Sequence, residues 1–176
     1  MFVQTFIGEY QRYRASADKA VAQVQSDADF NRILAPNGNS IAMVMRHVGG
    51  NLRSRFTDFL TADGEKPWRD RDTEFAEGPF TRAEVDELWT SGWNILTSEV
   101  GKLTDADLER TITIRGQSLN VHEALARSLA HVAMHVGQII LLARILATDE
   151  WKWITIPKGQ SALYNQNPTL EKRPAR

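Results

Sequence analysis

HVAMHVGQ, His131 to Gln138, sits midway along a long segment whose apolar residues recur at helical spacing. At ~100° per residue, four positions carry a helix through about 400°, so His131 and His135 face the same way, one turn apart. Gln138 returns to within about 20° of His131. Two imidazoles and an amide therefore share one edge of one helix. One helix can offer two ligands to a transition metal, but firm binding needs at least a third from elsewhere. The fold must bring that third ligand, and the rest of the chain is read for it.

The helix that carries this element extends from about 120 to 147. Its broad apolar side holds Val121, Leu125, Val132, Val136, Ile139, Leu142 and Leu146, while the other side carries Ala126, Ala130, Ala133 and Gly137 rather than charges. A helix with no truly polar face is buried on both sides, which calls for the first or third helix of the same chain or for a symmetry mate. Three further helices follow from 3.6-residue periodicity. The first, 2 to about 25, places Phe2, Phe6, Tyr10, Tyr13, Ala17, Val21 and Val24 on one face, a stripe read as core. The second, from a cap at Asn39 or Ser40 to about Leu60, has Met45, Val48, Leu52, Phe56 and Phe59 on its apolar side. Beside them runs a polar line of His47, Asn51, Ser54 and Asp58. Gly49 and Gly50 cost roughly 1 kcal/mol each against Ala, so their presence mid-helix predicts close approach of another backbone. The third begins at the Thr81 and Glu84 capping box and continues through Val85, Leu88 or Trp89, Gly92 or Trp93, Leu96 and Val100.

Between the helices lie two informative connections. Residues 61–80 are charged and rich in turn formers, with Trp68 and Phe75 as candidate anchors. A loop this long is either part of a functional site or a solvated connector. Thr111 to Ile114 alternates Thr and Ile, and Arg115-Gly116 offers a turn before Gln117 to Val121, which reads as a β-hairpin resting on helices. Trp151, Trp153 and Ile156 should pack the tail back on the helices, with fraying beyond about Asn167. The expected fold is all-α, one domain over 1–176, with four long helices and one short hairpin before the last.

Composition narrows the function. The 176 residues carry a net charge of −1, with basic and acidic residues interspersed, so no stripe suited to nucleic acid is present. No uninterrupted apolar run approaches ~18 residues, and no charged segment followed by an apolar one opens the chain, so neither a membrane nor export is expected and the cytoplasm is the default. With no cysteine, thiolate metal sites and cysteine nucleophiles are excluded. Any metal here takes His and oxygen ligands, and any thiol must arrive as substrate. Of four histidines, His122 lies nine positions before His131 and faces away. His47, His131 and His135 remain, placed to meet between facing helices and to leave a coordination position open. The competing reading is a chance His pair beside a hydrogen-bonded core histidine.

The quoted elements also carry a resemblance. NSIAMVMRHVGGNLRSRFTDFL (39–60), DGEKPWRDRDTEF (63–75), TIRGQ (113–117), HVAMHVGQ and WITIPKGQSALYN (153–165) resemble the DinB-like, YfiT-type metal-binding four-helix bundles, in a subfamily of unknown function. The resemblance spans nearly the whole chain. It implies an up-down-down-up bundle, often a homodimer, with His47, His131 and His135 as ligands to a divalent transition metal, zinc or nickel ahead of iron or manganese. It also implies a metal-dependent enzyme that activates a small nucleophile, by transfer of a low-molecular-weight thiol or by hydrolysis. The alternative is a non-catalytic, metal-stabilised binding module. Asn51 and Gln138, each near a ligand's face, are candidates to orient a bound group or a ligand. Glu65 and Glu99 are the candidate proton acceptors that hydrolysis would need. The 61–80 loop and the 151–165 tail are expected to shape the substrate pocket.

Overall fold

The computed structural model describes residues 2–171. The chain forms α1 (Phe2–Val21), α2 (Asp27–Phe30), α3 (Ile41–Phe56), α4 (Arg71–Glu74), α5 (Arg82–Gly101), a 3-10 turn (Asp105–Glu109), β1 (Thr111–Ile114), β2 (Gln117–Asn120), α6 (Val121–Leu146) and α7 (Ser161–Tyr164). The molecule is mostly helical, with one two-stranded antiparallel sheet. Caps set the helix starts. Ser40 accepts from the Met43 backbone at 3.2 Å, Thr81 and Glu84 bond each other's backbone N–H, and the Asn120 N–H donates to Glu123 at 2.7 Å. Each bond satisfies a donor that a helix end would leave orphaned. Two helices end sooner than their patterns suggest: α1 stops at Val21 and α3 at Phe56, leaving Asp58 in a turn with φ +51°.

Each long helix packs mainly on two others: α1 on α6 and α5, and α3 on α5 and α6. Where α3 crosses α5 the backbones nearly meet. A Cβ on Gly92 would lie 2.4 Å from the Gly49 carbonyl oxygen, and one on Gly49 would lie 2.7 Å from that of Leu88. Gly49 thus meets the backbone that its position predicts. Gly50 instead makes room for the side chain of Glu74, whose Oε1 a Cβ would approach to 2.2 Å. Between the helices sit Tyr10, Phe56, Trp93, Leu96, Leu125 and Ile139, all nearly inaccessible. Tyr10 meets Phe56 and Trp93 edge-on and donates its hydroxyl to the Leu125 carbonyl, so one α1 side chain touches three other helices. Val3 rather than Phe2 begins the buried stripe of α1; Phe2 is exposed.

The hairpin turns at Arg115 (φ +54°) and Gly116 (φ +70°), the two left-handed residues that a two-residue connection requires. Asp63 offsets the strain at Arg115 by accepting from the backbone N–H groups of Arg115 and Gly116 at 2.8 and 2.7 Å. These bonds, with a third from the Glu65 N–H, hold its carboxyl down at about 2. The hairpin and the 61–80 segment are thereby tied together. That segment is held by Glu74 and Phe75, whereas Trp68 is half exposed under Arg53.

In the tail, Trp151 and Ile154 pack on the core while Trp153 lies exposed against Arg144. Thr169 and Leu170 donate backbone N–H groups to the Tyr164 hydroxyl; the fraying expected beyond Asn167 falls partly on 172–176, outside the described residues. Among the described residues no helix covers the small-residue stripe of α6: Ala126, Ala130 and Gly137 are exposed and Ala133 half-buried, with exposed Met134, Leu141 and Ile145 nearby. By length and a mean hydropathy of 1.6 over its most apolar window, α6 is apolar enough to cross a membrane, although no uninterrupted apolar run shows it. A core helix passes the same test, and α6 packs along α1 and α3.

Candidate metal centre

His47 on α3 and His131 and His135 on α6 come together at the crossing of those helices. The Nε2 atom of His131 lies 3.1 Å from that of His47 and 3.2 Å from that of His135, and one ligand atom from each ring lies within 4.8 Å of the others. Bonds of about 2.05 Å to a tetrahedral ion place neighbouring nitrogens about 3.3 Å apart, so both short separations fit a shared cation. His47 and His135 are buried and His131 half-buried.

The outer nitrogens explain why the inner ones converge. His47 Nδ1 is 2.9 Å from Glu74 Oε2. Burial pushes the Glu74 carboxyl up, but hydrogen bonds from His47 and Arg69 and the Arg69 charge outweigh it and hold it below the usual range. An ionised carboxylate only accepts, so His47 Nδ1 carries the proton and Nε2 presents its lone pair inward. His135 Nδ1 likewise faces Gln138 Oε1 at 2.8 Å, which leaves its Nε2 as an acceptor. His131 Nδ1 is buried without a hydrogen-bond partner among the described residues. The single ring proton of His131 cannot serve both neighbouring lone pairs well; one cation satisfies all three nitrogens. Burial, then the adjacent imidazoles, pushes His131 down to about 3, and burial is also the main cause lowering His135. Neutral imidazole is the form that binds a metal.

Glu74 is the participant that sequence reasoning missed. It belongs to α4, a single turn within the 61–80 segment, capped by Asp70. Arg69 grips it with two bonds, Nε to Oε1 at 2.8 Å and an Nη to Oε2 at 2.9 Å. Phe75 next to it lies against the His47 ring, centroids 4.5 Å apart. The only hint in the sequence is the segment's length. Gln138 stands where helix geometry places it and orients His135.

A cavity of about 340 Å³ opens beside His47 and His131. Asn51 lines it one turn beyond His47, with Arg69 and Arg71 from the 61–80 segment. Ile114, Arg115, Gln117 and Leu119 of the hairpin line it too, but no residue of 151–165 does. The tail packs elsewhere because Trp151 and Ile154 hold it to the core. Neither candidate proton acceptor reaches the cavity wall. Glu65 is tied to Arg55 and Arg115, and Glu99 pairs with Lys102 on α5. His122 lies apart, near the Leu108 carbonyl and Glu109.

A model of a protein family described as "Protein of unknown function (DUF1572)" matches residues 1–160. Comparison with curated proteins and with solved structures returned no match.

Proposed function

The chain belongs to the DUF1572 family, and we propose that within it His47, His131 and His135 form a divalent-metal site that activates a small nucleophile. The observation that carries this reading is the convergence of three Nε2 atoms, two of them oriented by Glu74 and Gln138, beside an open cavity. Among the described residues the cluster contains three ligands and no fourth, the pattern of catalytic rather than structural sites. When bound, the ion would act as a Lewis acid that lowers the pKa of a coordinated water or thiol. Glu74 holds His47 in the ligating tautomer, Gln138 does the same for His135, and Asn51 offers an amide to a bound group. Imidazole ligands suit zinc and nickel, with iron and manganese as further candidates.

Thiol transfer stands ahead of hydrolysis. Hydrolysis needs a proton acceptor beside the attacking water, and among the described residues no carboxylate lines the cavity. A thiol bound to the ion would be acidic enough to give its proton to solvent without a side-chain base, and the chain has no cysteine of its own to supply. The ring of contacts among α1, α3, α5 and α6 fits the up-down-down-up bundle of the DinB-like superfamily, which we take as this chain's wider kinship. The uncovered face of α6 is a reasonable seat for a second copy. The test is to incubate metal-loaded protein with an electrophile and each common low-molecular-weight thiol, beside a panel of esters and amides. Metal-dependent conjugation supports the proposal. Ester cleavage without conjugation reverses the order, and no turnover in either assay favours a metal-stabilised binding module.

A further inference from the structure

The wall of the cavity is cationic to a degree the chain as a whole is not. Arg55 from α3, Arg69 and Arg71 from the 61–80 segment, Arg115 from the hairpin turn and Arg127 from α6 all line it. The protein's net charge is −1, and among the described residues the lining includes no Asp or Glu. Five guanidiniums from four separate parts of the fold do not gather by the periodicity of any one helix.

Their partners divide them. Arg55 and Arg115 share Glu65, and Arg69 is committed to Glu74; these three brace the wall. Arg127 makes no ion pair or hydrogen bond among the described residues. It sits one turn before His131, so it projects from the metal-facing side of α6. Arg71 meets only the fully exposed Asp72, at 4.0 Å, and lies over the Phe75 ring, which in turn contacts His47. One unpaired guanidinium, Arg127, and one held only by a loose, solvent-exposed pair, Arg71, thus flank a cavity of metabolite size. A guanidinium fork matches the paired oxygens of a carboxylate or phosphate, and the bond strengthens where water is partly excluded.

We propose that Arg71 and Arg127 bind a carboxylate or phosphate group of a small anionic substrate and hold it beside the histidine cluster. The inference rests on the cavity being the substrate site of that cluster, but the anion subsite needs no metal to form.

The test is calorimetric titration of inorganic phosphate and, separately, succinate into metal-free protein. It uses wild type, Arg71→Gln, Arg127→Gln, and Arg110→Gln as a control outside the cavity, with zinc uptake measured on each. At least one anion should bind wild type, about tenfold more weakly to either cavity variant and unchanged to the control, with zinc uptake retained throughout. Binding should also weaken with added chloride salt. Preference for phosphate or for succinate identifies the anionic group, and either supports the proposal. No binding of either anion, or equal binding by wild type and both cavity variants, overturns it. Anion binding in a protein that takes up no zinc would uphold this subsite while defeating the metal-site reading.

Discussion

Glu74 is where stability and the proposed metal centre are most tightly joined, and removing it should disturb both. Its side chain is 7% exposed. It receives two bonds from Arg69, whose side chain is 3% exposed, and one from His47. Glu74→Ala leaves a buried guanidinium with only a loose 4.0 Å pairing to Glu65 and releases the His47 ring. Breaking a buried pair from one side costs about 3–5 kcal/mol, a large part of the roughly 5–15 kcal/mol that holds a domain folded. Loss of the hydrogen bond that fixes a ligating histidine weakens metal binding about 10–100-fold. Glu74→Gln separates the two effects, because its amide oxygen can still accept from His47 while the charge is gone. Urea unfolding of metal-free protein reads the first effect, and zinc competition with a chromophoric chelator reads the second. Glu74→Gln should lose stability but keep zinc affinity near wild type, whereas Glu74→Ala should lose both. A Glu74→Ala protein that unfolds within ~0.5 kcal/mol of wild type and keeps its zinc affinity would show that Glu74 braces neither Arg69 nor His47.

Other consequences are simpler to check. Gly92→Ala drives a Cβ to within 2.4 Å of the Gly49 carbonyl; backbone cannot yield cheaply, so urea unfolding should show a loss of about 1–3 kcal/mol. Gly137 has open space around it, so Gly137→Ala should stabilise an isolated chain by about 0.5–1 kcal/mol. If two copies pack on this face of α6, Gly137→Leu should instead shift sedimentation from dimer to monomer. The pH dependence follows from His131, whose pKa in the folded chain is below its unfolded value. Its contribution is complete above about pH 6.5 and is lost as pH falls toward about 3. Glu74, also lowered, adds a loss that begins below about pH 4.3. Metal-free protein should therefore melt at progressively lower temperature as it is acidified from neutrality, and calorimetry across that range checks it.

The long helices and the hairpin were legible because their signals are local. Apolar spacing, the Ser40, Thr81 and Asn120 starts, and the Arg115-Gly116 turn each act within a few residues. The histidines were legible for the same reason: a single turn separates His131 from His135, and His47 was the remaining histidine on a face that turns inward. Glu74 was not, because nothing near it in sequence distinguishes it from Asp70, Asp72 or Glu65; its role exists only once α4 docks beside Gly50. Trp68 misled in the opposite direction, since an aromatic in a loop suggests an anchor and this one stays half exposed beneath Arg53. The tail was wrongly placed at the pocket because a run of aromatics shows that a segment packs, not where. Cavity arginines escaped notice altogether: four parts of the fold contribute them, and no window of sequence contains the cluster.

Whether the three histidines hold a metal decides the function proposed for the cavity beside them. Elemental analysis of untagged protein, with zinc and nickel titrations of the metal-stripped form, should give one ion per chain. His47→Ala or His131→Ala should lower that affinity at least about 100-fold, while His122→Ala should leave it unchanged. Protein that takes up no divalent ion, or that loses affinity equally when His122 is removed, would contradict the claim.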